Sequence, residues 1–216
     1  MRPIVAAAAF LLCSLAFAQI PELRPEQRLF DAIESGKQLV AEGIVLKGGV
    51  DLNARNQDRE TPLHRTIEKD YRELTEVLVK AGAPLGARSK NGETPLHFAA
   101  LHEDSFYVEL LLRYKADPKV KNDDGETPLQ WAVMSGHPQT ARALLEHGAD
   151  PLTTDLKGNT MLHACADGGH AAMLDAFLRL GVDPRQKNRE GKRAYQVARE
   201  RGFADVAKRL ERYEKE

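Results

Sequence analysis

The chain has 216 residues, a formal charge of −1 and no excess of basic residues. That balance gives no sign of a basic face for nucleic-acid phosphates, so nucleic acid is not an expected partner. Of its two cysteines, Cys13 falls in an apolar leader, which leaves Cys165 alone in the rest of the chain and excludes an intramolecular disulfide there.

Residues 1–18 read as a secretory signal peptide. Arg2 supplies the positive start, Ile4 to Leu12 is an unbroken apolar run, and Ala16-Phe17-Ala18 is a small-x-small cleavage site before Gln19. The stretch is short for a permanent span. Lipidation at Cys13 and an uncleaved anchor are the alternatives; Leu12 stands where lipidation favours a small residue. Residues 19–56 read as a leader with Pro21 and Pro25, then a capping unit. Leu29, Phe30, Ala32 and Ile33 predict its first helix, and Leu39, Val40, Ile44, Val45 and Leu46 its second.

From residue 57 the chain repeats itself. Thr61-Pro62-Leu63-His64, Thr94-Pro95-Leu96-His97, Thr127-Pro128-Leu129-Gln130 and Thr160-Met161-Leu162-His163 follow one another at intervals of 33 residues. Thr suits a helix N-cap and Pro the first helical position. The His is expected to tie one repeat to the next through backbone. Turn dipeptides precede the motif, as in Asn91-Gly92 and Asp124-Gly125. A short apolar helix follows, then a break such as Ser135-Gly136-His137. A second helix then ends in His147-Gly148-Ala149-Asp150-Pro151. Four copies are read, at about 57–89, 90–122, 123–155 and 156–188. Residues 189–216 read as a C-terminal cap, charged through Arg199, Arg201, Lys208, Arg209 and Arg212.

This pattern resembles the ankyrin-repeat family, whose signature residues 94–97 match letter for letter. The resemblance implies an all-α repeat fold: an ankyrin solenoid of paired antiparallel helices with protruding β-turn tips, about six repeats including two degenerate caps. Four positions depart from the family pattern, each in a different copy: Arg59 for the turn Gly, Lys115 for the helix-stop Gly, Gln130 for His and Met161 for Pro.

No catalytic motif appears: no Gly-x-Ser-x-Gly, no phosphate loop, no His-Glu-x-x-His and no Cys pair. One His per repeat is not a zinc constellation. The chain is therefore expected to be no enzyme and to carry no cofactor or metal. Cys165, in the slot of Ala99 and Ala132, is expected in the core.

The resemblance also implies that turn tips and first helices line a concave groove where partners bind. Carried onto this chain, the candidate partner-binding residues are Arg65, Lys69, Phe98, Leu101, His102, Trp131 and Met134, with Asp123 and Asp124 at the tips. Phe98 and Trp131 share one slot in adjacent repeats, and Leu101 and Met134 share another. Large apolar residues in a solvent-facing slot mark a binding surface. The competing placement has the two rings leaning inward to fill gaps between helix layers. The expected function is an interaction module, monomeric when free. It would bind another exported protein, a periplasmic or secreted enzyme, to inhibit, shield or support it. A secreted effector that binds host proteins is the alternative.

Overall fold

A computed structural model of the chain describes residues 23–214; the leader segment and its signal-peptide and Cys13 readings lie outside the described residues. Twelve α-helices and no strand occur among the described residues. They form six pairs: α1 (Pro25–Glu34) with α2 (Gln38–Lys47), α3 (Pro62–Glu68) with α4 (Arg72–Lys80), and α5 (Pro95–Ala99) with α6 (Phe106–Arg113). These are followed by α7 (Pro128–Met134) with α8 (Pro138–Glu146), α9 (Met161–Gly168) with α10 (Ala171–Arg179), and α11 (Ala194–Arg201) with α12 (Ala204–Leu210). The fold is the expected all-α repeat solenoid.

In the four central pairs each first helix starts the same way. Thr61, Thr94, Thr127 and Thr160 are extended N-caps, and the side chain three residues on reaches back to the cap nitrogen. In the same four pairs the second helix stops on a left-handed residue: Gly82, Lys115, Gly148 and Gly181. Arg59 and Lys115, where the sequence lacks the expected Gly, still take φ of 60° and 72°, so the fold imposes the turn on a residue that resists it.

The break between paired helices holds two departures that the sequence reading passed over. Asp70 sits in the slot of Gly136, Gly169 and Gly202 and adopts φ 56°, with Tyr107 donating its hydroxyl proton to Asp70 Oδ1 at 2.8 Å. Glu103 holds the slot in the next repeat and is not left-handed. Residues 101–105 run instead as irregular turn, α5 is the shortest helix, and Thr140 Oγ1 donates to the His102 carbonyl at 2.8 Å.

The core is continuous because each pair buries its apolar face on its neighbours. Leu63 and Ile67, Leu96, Leu129 and Val133, and Leu162 and Ala166 come from the first helices; Leu74 and Leu78, Leu111, Leu144, and Leu174 and Phe177 come from the second. Cys165 is fully buried and reduced, and burial pushes its thiol pKa up. The two ends differ. The last pair shows charge outward, with Arg209 on Asp175 and Asp205. The first pair leaves Leu39 82% and Leu46 74% exposed on α2, so its outer face is more apolar than a water-facing cap requires.

Candidate functional site

Two rows of side chains, one residue per repeat, run along the first helices on the face expected to bind a partner. The upper row runs Asp31, Arg65, Phe98, Trp131, Ala164, Val197. The lower row runs Glu34, Glu68, Leu101, Met134, Asp167, Glu200.

The centre of this face is aromatic. Phe98 and Trp131 are half-buried, pack on the core, and lie with ring centroids 6.4 Å apart at 43°. His64 and Phe98 pack T-shaped with ring centroids 5.2 Å apart, and His97 and Trp131 likewise at 5.4 Å. Trp131 Nε1 donates to Glu126 Oε2 at 2.7 Å. The rings thus stand between the two placements that the sequence left open, packed on the core yet not fully buried. Leu101 and Met134 lie outside them, 49% and 43% exposed.

The polar candidates are more committed to the chain itself. Arg65 binds Glu34 at 2.8 Å and Glu60 at 3.3 Å, and also Glu68; Lys69 reaches Glu34 at 3.1 Å. The Arg65 hydrogen bond holds the Glu34 carboxyl below the usual range. This cluster staples the first helix pair to the second. The His102 ring lies 2.9 Å from the Ile67 carbonyl and 4.8 Å from the Tyr107 ring, tying its repeat backward.

At the tips Asp123 pairs with Arg88 at 3.0 Å, and the Asp124 carbonyl accepts from Leu156 N at 2.8 Å; both side chains are exposed. The tips are joined to each other. Lys90 N, Asp123 N, Leu156 N and Arg189 N each donate to a carbonyl of the preceding tip. Arg88 and Lys121 reach the carbonyls of Lys121 and Thr154, 33 residues on. Within a tip, an Asn or Ser side chain accepts from two backbone N–H groups, as Asn56, Ser89, Asn122 and Asn188 do; Asp155 holds the same slot and accepts from Asn159 N.

Beyond Trp131 the upper row drops to Ala164. The missing side chain opens a depression of about 350 Å³, walled by Glu126 and Met134 on one side and by Val197 and Arg201 on the other. Most charges there are already paired: Arg201 with Asp167, Lys192 with Glu190 and Glu200. Glu126 was missed as a groove residue. Its signal was legible, since Glu60, Glu93 and Glu126 recur five residues before Arg65, Phe98 and Trp131.

Among the described residues no group of three or more His, Cys, Asp or Glu is placed to hold a metal, and no helix is long and apolar enough to cross a membrane. Exposed apolar side chains beside half-buried rings, with paired charges around them, are features of a surface that contacts another macromolecule.

Comparison with known families agrees with the geometry. The family model described as ankyrin repeats (3 copies) matches residues 29–122, 82–155 and 102–188. A search of curated proteins finds no significant match.

Proposed function

The chain belongs to the ankyrin-repeat family, whose members are protein-binding modules, and on that footing we propose that it is a non-enzymatic protein that docks another exported protein in its concave groove and modulates it. The observation that carries this reading is the exposed pair Leu101 and Met134, set over the half-buried Phe98 and Trp131 at the middle of the groove. Anchors of that kind, ringed by polar residues, are how binding hot spots are built. Export rests on the leader: Arg2, the apolar run to Leu12 and Ala16-Phe17-Ala18. The partner then shares the periplasm, and the class that best fits is an enzyme that gains or loses activity when held.

The test compares wild type with a Leu101→Glu/Met134→Glu variant. Both side chains are exposed, so the change removes the docking surface without opening the core. Immobilised on a column, the wild type is expected to retain one periplasmic protein that the variant releases, and the activity of that protein should change on binding. Equal retention by both forms places the contact elsewhere and overturns the groove reading. Cell fractionation with N-terminal sequencing checks export, the expected first residue being Gln19.

A further inference from the structure

Three repeats carry the same carboxylate, but only one of them supplies a cation for it. In the second repeat Glu60 accepts from Arg65, five residues on. In the next two the cation slot holds Phe98 and Trp131, while Glu93 and Glu126 remain. Glu93 accepts from Ser89 and Asn91. Glu126 accepts from Asn122 at 3.1 Å and Trp131 at 2.7 Å, both through Oε2. Among the described residues neither Glu93 nor Glu126 meets a Lys or Arg. Glu126 lies on the wall of the depression that Ala164 opens, and Asp155 lines the same space, held by Asn159. Of the cations lining it, Arg201 and Lys192 are engaged by other acids, and Lys157 is exposed at the tip.

We infer that the groove selects a partner segment with a basic side chain beside a large apolar one, the base entering the depression that Glu126, Asp155 and Ala164 line and the apolar neighbour resting on Met134, at its wall, and Leu101. This inference rests on the groove reading above. The charge complement is the argument: a carboxylate that meets no Lys or Arg of its own chain attracts a guanidinium or ammonium by ion pairing. Arg65 on Glu60 is the chain's own example of the same pairing. A depression of about 350 Å³ admits the stem of an Arg or Lys against Ala164 and Val197 while its head reaches Glu126 and Asp155. A neutral apolar peptide would leave both acids without a counter-charge as it covered them, which disfavours it.

A random peptide library displayed on phage tests this directly. It is panned on the immobilised protein, and enriched peptides are synthesised and measured by fluorescence anisotropy. The competing forms are wild type, Glu126→Gln, Asp155→Asn and Leu101→Glu/Met134→Glu. Gln keeps an acceptor for Trp131 Nε1, and Asn already fills the slot of Asp155 at positions 56, 122 and 188, so both charge-neutral variants should fold. The expected result is enrichment of Arg or Lys next to a large apolar residue, with affinity falling about tenfold in each charge-neutral variant and with rising salt. Peptides that need Leu101 and Met134 but show no basic preference overturn the inference and leave the groove reading standing. Peptides indifferent to Leu101 and Met134 overturn both. Failure to enrich any peptide overturns the inference, because a depression that reads one side chain and its neighbour needs only a short segment.

Discussion

His64 Nε2 lies 3.2 Å from the carbonyl oxygen of Glu93, the residue just before the Thr that caps the first helix of the next repeat. The same ring accepts the Thr61 N–H on Nδ1 at 3.1 Å, so the proton sits on Nε2 and donates forward. His97 to Glu126 at 3.1 Å and His163 to Lys192 at 3.0 Å repeat the arrangement, and Gln130 copies it with an amide, accepting from Thr127 N and donating to Asn159 O. Four side chains in one slot thus cap their own helix and latch the following repeat.

The latch predicts acid sensitivity. Burial lowers the His64 and His97 pKa from 6.5 to about 4 and lowers that of His163 as well. The unfolded state therefore binds more protons than the folded one below pH 6.5. Stability should be flat above that value and fall as pH drops toward 4, by up to about 1.4 kcal/mol per pH unit for each histidine and, for His64 and His97, on the order of 3 kcal/mol each over the window. Urea titrations between pH 4 and 8 read this slope. His64→Gln keeps both hydrogen bonds, as Gln130 does, and removes one titrating group, so its slope between pH 4.5 and 6 should be shallower by the share of one histidine, up to about 1.4 kcal/mol per pH unit. An unchanged slope would mean that the acid loss comes from other groups.

Lys115 is an exposed residue held at φ 72°, in the slot where Gly82, Gly148 and Gly181 end their helices. A Cβ in that conformation costs roughly 1–2 kcal/mol, partly offset by the chain entropy glycine loses on folding. Lys115→Gly should raise stability by about 1 kcal/mol and Lys115→Ala should not. Thermal melts of the two variants beside wild type settle the matter; equal gains would assign the effect to removal of the lysine charge.

The period of 33, the Thr caps, the forward histidine ties and the burial of Cys165 could all be read from the sequence, because each depends on a residue's slot in its own repeat. What the groove polar residues do could not. Arg65 and Lys69 meet Glu34, and His102 meets the Ile67 carbonyl, partners that lie 31 to 35 residues away in another repeat. A slot alignment says which face a side chain shares; it does not say whether a neighbour of opposite charge already occupies that face. Glu103 was illegible for a related reason. Its turn departs from the period, and the replacement contacts come from Thr140 one repeat later.

Glu34, held by Arg65 and by Lys69, ties the first helix pair to the second. Arg65 is half-buried among Glu34, Glu60 and Glu68, and Glu60 is itself buried. Arg65→Ala leaves those acids facing each other, so a loss of about 1–2 kcal/mol is expected, with the first pair fraying before the array melts. Hydrogen exchange should show faster exchange over α1 and α2 and little change beyond α5. Uniform acceleration along the chain would instead mean that the array unfolds as one cooperative unit.

Trp131 and Glu126 can be dissected by a double-mutant cycle. The indole N–H donates to a carboxylate, and a hydrogen bond to a charged group contributes about 1.5–3 kcal/mol when desolvated, less at a half-buried site. Trp131→Phe keeps an aromatic ring against His97 and Phe98 but deletes the donor, so a loss near 1 kcal/mol is expected. Glu126→Gln keeps an acceptor and should cost less. If the Nε1 bond carries the effect, the double variant loses no more than Trp131→Phe alone, and the cycle returns a coupling energy close to the Glu126→Gln cost. Additive losses would show that the ring is held by packing alone. Glu126 would then be free of Trp131, and a variant there would report on ligand charge without disturbing the aromatic centre of the groove.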